Sequence, residues 1–260
     1  MKNLLNACRN ETLKARRSPV SLVTLLGSLM IPAVGAFFML IAENPEKAKS
    51  LGIISAKAQL LGVEVSWGFY YSFLLQAVAV GGIILFSFIS AWVFGREYIN
   101  KTQKDLLALP TSRTTIVTAK LLVISVWSLT IALLMLGGAI LLGWLIKLPG
   151  WSTQLLIDNG LRVLAAAAMA VLLAWVVAWV ANLTRSYFSP IGLLVFAVAF
   201  GQIASVLGWG AYFPWAIPAI YSNPSSAVEL GPVSFAIVIV TGLVGVAGTL
   251  AWWRYADHSV

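Results

Sequence analysis

The sequence predicts an all-α integral membrane protein. It would have six transmembrane helices, an N-terminal interfacial amphipathic helix, a short helix in one cytoplasmic loop, and a Pro- and aromatic-rich outer segment between spans five and six. Three observations carry that prediction. Of 260 residues, 60% are apolar and only 10% are charged, against about 45–50% and about 25% in soluble domains, so a soluble chain could not cover its own core. Six runs free of Asp, Glu, Lys and Arg each reach the roughly 20 residues that cross a bilayer. The basic residues, finally, sort to one side of that topology.

Residues 1–18 read as an interfacial helix: Met1, Leu4, Leu5, Cys8, Thr12 and Ala15 share a stripe, with Lys2, Arg9, Lys14 and Arg16 elsewhere. The alternative is a charged tail that only fixes orientation. Val20–Ala42 is the first span. Its 23 residues exceed the 7–15 of a cleavable signal core, so it reads as retained, with Gly27, Pro32 and Gly35 making it bendable. Phe69–Phe94, Leu121–Ile146, Val163–Ala181, Pro190–Trp209 and Val233–Trp253 follow, and 1–260 reads as one membrane domain. In the first outer loop, 43–68, Leu51–Val65 carries Lys57 and is too short to span, so it is expected to lie on the outer surface. Twelve of the 17 Lys and Arg then share the side of residues 1–18, which the positive-inside rule assigns to the cytoplasm. Both termini are therefore expected there, and the net charge of +8 reflects topology rather than nucleic-acid binding.

Cys8 and His258 are the only Cys and His. A disulfide within the chain and an ordinary zinc site are thereby excluded, and no metal site or catalytic residue is expected. The loops are too short for a soluble catalytic or nucleotide-binding domain, which places any energy source on another chain.

The loop between spans two and three, 95–113, is the most informative segment. Thr102 can cap a short helix with Asp105 three residues on, and Pro110 limits that helix to about Gln103–Ala108. Leu106 and Leu109 give it an apolar knob. Thr111 or Ser112 can cap the following helix. The run Glu97, Thr102, Leu106-Leu107, Leu109-Pro110, Ser112-Arg113 and Lys120 resembles the signature of type-2 ABC-transporter permeases, bacterial exporters of the type V fold. One departure is Lys101, where the family usually has Gly. The resemblance implies that this loop is a coupling helix docked in a groove of a separate ATP-binding subunit. Its interface would comprise Arg96, Glu97, Thr102, Lys104, Asp105, Leu106, Leu109, Pro110 and Arg113. Glu97 would orient the loop, Leu106 and Leu109 would fill the groove, and Arg113 would sit at the interface. Lys120 reads either as part of that motif or as a headgroup anchor.

Between spans five and six, Gly210–Pro232 holds four prolines, which forbid a long helix, and the aromatics Tyr212, Phe213, Trp215 and Tyr221, which suit an interface. The resemblance implies a re-entrant hairpin lining the exit; an ordinary surface loop is the alternative. Gln76, Gln202 and Ser205 lie inside the apolar runs, where they either line a pathway or hydrogen-bond between helices. Gly242, Gly245 and Gly248 would allow close helix packing.

The resemblance implies a homodimeric permease subunit of an ATP-driven exporter in the bacterial plasma membrane, in contact with membrane lipids. ATP and Mg2+ would be bound by the partner subunit, with no cofactor on this chain. Uncharged spans suggest an apolar or amphipathic cargo such as a lipid-like molecule, a drug or an antimicrobial peptide. An ion- or proton-coupled carrier or channel is the alternative, although such proteins usually bury ionisable groups. A membrane assembly or immunity protein that moves nothing is another. An intramembrane protease would need a histidine at membrane depth, and His258 lies outside every span.

Overall fold

Serine hydroxyls mark the starts of several of the long helices. In a computed structural model, which describes residues 2–43, 64–103, 106, 111–223, 226 and 228–256, helix α1 (Lys2–Arg16) turns into α2 (Pro19–Glu43). At the turn the Ser18 hydroxyl accepts from the Val20 N–H at 2.9 Å. Helix α3 runs over Trp67–Ile99 and contains one π-helical turn at Ala77–Gly81. Ser112 caps α4 (Arg113–Leu145) by accepting from the Thr115 N–H at 3.2 Å, which decides between Thr111 and Ser112. Ser152 caps α5 (Thr153–Thr184) in the same way through the Leu155 N–H at 3.0 Å. Then come α6 (Phe188–Val206), a 3-10 turn at Gly210–Tyr212, the short α7 (Ile217–Ser222) and α8 (Pro232–Tyr255). No strand occurs among the described residues.

Six of these helices, α2 to α6 and α8, are long and apolar enough to cross a membrane. They contain the expected spans apart from Ile146, one residue past α4, and the three residues 207–209 past α6, and three of them outrun the apolar runs substantially. α3 continues to Ile99, α4 starts at Arg113 and α5 starts at Thr153, ahead of Val163. An apolar run marks only the stretch needed in hydrocarbon, whereas a capped helix continues through polar residues beyond it. Most of the first outer loop, including nearly all of Leu51–Val65, lies outside the described residues. So do Lys104, Asp105, Leu109, Pro110 and His258.

α5 is the centre of the packing, flanked closely by α3 and α8. Its buried face is rich in alanine, including Ala166, Ala170, Ala174 and Ala178, which lets neighbouring backbones approach. Gly242, Gly245 and Gly248 of α8 meet Leu172, Val176 and Trp179 of α5. A Cβ at Gly245 would stand 2.6 Å from the backbone nitrogen of Val176, so no larger residue fits without separating the helices. The glycine stripe thus serves packing within the chain. α2, α6 and α8 are the least buried of the long helices.

Away from α1, the Trp67 N–H donates to the Pro149 carbonyl at 3.1 Å, and the Trp67 ring meets Trp151 edge-on at 4.8 Å. The Tyr70 hydroxyl donates to the carbonyl of Pro32 at 2.8 Å. α7 is buried through Ile217, Pro218 and Ile220 and packs against the π turn of α3, while Ala216 approaches Gly201 of α6. The stretch 216–222 between α6 and α8 is therefore packed into the bundle rather than laid on its surface.

Candidate functional site: a buried ion cluster under the loop between α3 and α4

Five ionisable side chains converge where α1, the end of α3 and the first turns of α4 meet. Glu11, Glu97 and Lys120 are 4%, 2% and 0% exposed. Lys120 Nζ donates to Glu11 Oε2 at 2.9 Å, to Glu97 Oε1 at 2.8 Å and to the Val93 carbonyl at 3.3 Å, which uses all three of its protons. Lys14 Nζ lies 3.1 Å from each carboxylate. Arg96 donates to Glu11 Oε2 at 2.9 Å, and its guanidinium stacks over Trp92 with the centroid 4.2 Å away. Two carboxylates are thus shared among three cations, and each buried charge has several partners, the condition for tolerating ions out of water. Burial by itself would raise the Glu11 carboxyl; the cations of Lys120, Lys14 and Arg96 outweigh it and hold the group below its ordinary value.

The cluster reaches the loop through one hydroxyl. Thr102 Oγ1 donates to Glu97 Oε2, while the Thr102 carbonyl accepts from the Leu106 N–H at 3.1 Å and so opens a helical turn. The approach to that turn is a Schellman-type helix end: the Thr102 N–H donates to Glu97 O at 3.0 Å and the Lys101 N–H to Tyr98 O at 3.2 Å. Lys101 takes a left-handed φ of 57°, the conformation that makes Gly the usual residue there. Leu106 lines two open cavities. One, of about 350 Å³, lies beside Asn6, Asn10 and Thr111; the other, of about 610 Å³, lies beside Arg17, Trp92 and Asn100.

A second, uncharged network holds the far side of the same face. The Tyr98 hydroxyl and Trp253 Nε1 both donate to Asn182 Oδ1, at 3.0 Å and 2.7 Å, and Trp252 Nε1 donates to the Tyr98 hydroxyl at 3.1 Å. Arg113 donates to the Trp253 carbonyl at 3.2 Å, tying the start of α4 to the end of α8. The ends of α3, α5 and α8 and the start of α4 thereby share one face with α1. Motions of the loop would be felt by α1, α3 and α4 through the ions, and by α5 and α8 through this network.

A model for ABC-2 family transporter proteins matches residues 7–201, which span the whole ion cluster. The chain belongs to the ABC-2 transporter family. It is also similar to the bacitracin transport permease protein of Bacillus licheniformis, at 26% identity over 188 residues that cover 70% of this chain and 88% of the relative. With its six apolar helices, this ABC-2 protein is a multi-pass permease of the plasma membrane. It is a transporter subunit of the kind that works with an ATP-binding partner.

In this permease Arg96, Glu97 and Thr102 come together in the cluster, Leu106 lies at its rim and Arg113 is exposed on the opposite side of the loop. Lys104, Asp105, Leu109 and Pro110 fall outside the described residues. One sequence expectation needs correction. Lys120 is no headgroup anchor, being fully buried between two carboxylates. α1 turns Glu11 and Ala15 into the protein, while Thr12 and Leu5 are exposed. The signal for Glu11 was available: it continues the Leu4, Cys8 and Ala15 spacing at helical period. Its negative charge had hidden it.

Gln76 and Gln202 are exposed at the surface of the bundle, with no hydrogen-bond partner among the described residues, so they do not join helices within the chain. Ser205 donates to the carbonyl of Gly201 at 2.8 Å in its own helix. In the outer segment Tyr212 is exposed, Phe213 packs on Trp215 at 5.8 Å and on Phe200 at 5.3 Å, and Tyr221 meets Phe235 at 6.1 Å.

Proposed function

We propose that this permease works as a homodimeric exporter, with each copy docking one ATP-binding subunit through the loop 95–113. The observation that carries the reading is the single hydroxyl contact from Thr102 to a carboxylate buried among three cations. It fixes the loop's first turn to three helices at once, as a lever between a soluble motor and the spans requires. Leu106 and Leu109 supply the apolar knob for a groove in that motor. ATP and Mg2+ belong to the partner, and this chain acts without a cofactor or catalytic residue of its own. The face bearing α1 is the cytoplasmic one, which the excess of Lys and Arg there favours, and α1 rests among the lipid headgroups.

The cargo is an amphipathic molecule, with a bacitracin-like antimicrobial peptide as the first candidate. The relative transports bacitracin by name, and the spans offer no fixed charge for an ionic cargo. Gln76 and Gln202 expose amides at membrane depth, where a polar partner is needed. A pathway shared with the second copy, closed outside by the segment 210–232, would supply one. Purification of the tagged permease in mild detergent from its own cells tests the docking. A stoichiometric ATP-binding subunit should accompany the wild type and be lost when Leu106 and Leu109 are both changed to Asp. Retention of that subunit by the double variant, in protein that elutes as the wild type does, would overturn the assignment of the loop.

A further inference from the structure

The ion cluster consumes Lys14, Arg96 and Lys120 but leaves two cations at the corner between α1 and α2. Arg16 and Arg17 are exposed and form no ion pair among the described residues. Arg16 borders a third cavity, of about 320 Å³, on the other side of α1 from the two around Leu106, the larger of which Arg17 lines. Ala15 and Arg16 of α1, Ser21 of α2, and Leu122, Val126 and Trp127 of α4 form its walls. No carboxylate lines it, since Glu11 is turned into the cluster. Leu122 and Val126, one turn apart on α4, are 44% and 64% exposed. The cavity therefore joins a positively charged mouth to an open apolar wall, and its size is that of a small ligand site.

We propose that this crevice holds one anionic phospholipid of the leaflet on α1's side. Its phosphate sits against Arg16, and one acyl chain lies along Leu122, Val126 and Trp127. The charge pattern selects the occupant: a cation with no carboxylate beside it favours an anionic headgroup over a zwitterionic or cationic one, and the uncharged wall suits a hydrocarbon chain rather than a peptide. Basic pockets at the membrane surface recognise lipid headgroups in this way. The back wall is rigid, because Trp127 packs edge-on against Trp92 at 6.1 Å, the ring that carries Arg96. A lipid here presses α1 onto α4 from the side opposite the ion cluster. The inference does not depend on which subunit docks at the loop.

Native mass spectrometry of the intact permease tests it, with phosphatidylglycerol or phosphatidylcholine of identical chains added to the detergent. Wild type should retain one phosphatidylglycerol per chain about fivefold better than phosphatidylcholine, and R16Q should remove that preference, as expected from about 1 kcal/mol per basic residue near an anionic surface. Val126→Trp, which fills the crevice without altering charge, should lower retention of phosphatidylglycerol while Arg16 remains. Equal retention of the two lipids by wild type would overturn the proposal. So would unchanged phosphatidylglycerol retention in either variant, or displacement of the lipid by an equal concentration of glycerol phosphate, which would mark a site for the phosphate alone. All substituted side chains are exposed, and elution volume and thermal midpoint verify that each variant is folded.

Discussion

Glu11 shows how much rests on one side chain. It accepts from Lys120, Lys14 and Arg96 across distances of 2.9 to 3.1 Å and is almost wholly buried. Glu11→Gln should destabilise the permease by about 3 kcal/mol, the usual cost of removing one member of a buried ion group, read as a lower thermal midpoint in detergent. The cations lower its carboxyl below the ordinary 4.5, so the folded state favours the carboxylate. The stabilisation is complete above pH 4.5 and is lost as pH falls through the lowered folded value. The gap between wild type and Glu11→Gln should therefore close on acidification; a gap that widens would contradict the assignment. Lys101 is a case of the opposite sign. Its left-handed φ strains a side-chain-bearing residue, and Lys101→Gly should stabilise the fold by up to about 1 kcal/mol, less than the full αL penalty because Gly also loosens the unfolded chain. The spacing of α1 marks the face of Glu11 but not its partner. Glu11 meets Lys120 across 109 positions of sequence, and local patterning holds no information about such a pairing. The Gly that the family motif carries at position 101 was the only hint of that backbone.

At the scale of elements, the six spans were legible because an uncharged run of about 20 residues is a signal that needs no partner. Local cap chemistry narrowed the start of α4 to Thr111 or Ser112, and Ser112 is the cap. The outward extension of α5 over 153–162 was not legible, because Asp158, Asn159 and Arg162 break the apolar run without breaking the helix. Which faces of Gln76 and Gln202 point outward was equally hidden, since a span apolar on every side has no marked face. The α5–α8 contact makes a sharp prediction. Gly245→Ala would place a Cβ against the backbone of Val176 and should cost about 2 kcal/mol through overpacking. Gly27→Ala, where nothing lies within 4 Å, should not destabilise in the same thermal assay.

At the scale of the molecule, the arrangement reads as a lever. The loop 95–113 is anchored on one side to α1, α3 and α4 by ions, and on the other to α8 by Arg113. The membrane bundle turns around α5, with α2 and α6 largely uncovered. A docked motor that moves Leu106 would move Thr102, Glu97 and Lys120 with it. The direct test is ATP hydrolysis by the permease reconstituted with its co-purifying ATP-binding subunit, with and without bacitracin, comparing wild type and Glu97→Gln. Gln keeps the size of Glu97 and removes the charge that Lys120 grips. The account predicts that the variant retains the subunit and its basal hydrolysis but loses about tenfold in cargo stimulation, within the range of ordinary coupling energies. Full stimulation in an intact Glu97→Gln complex would contradict it.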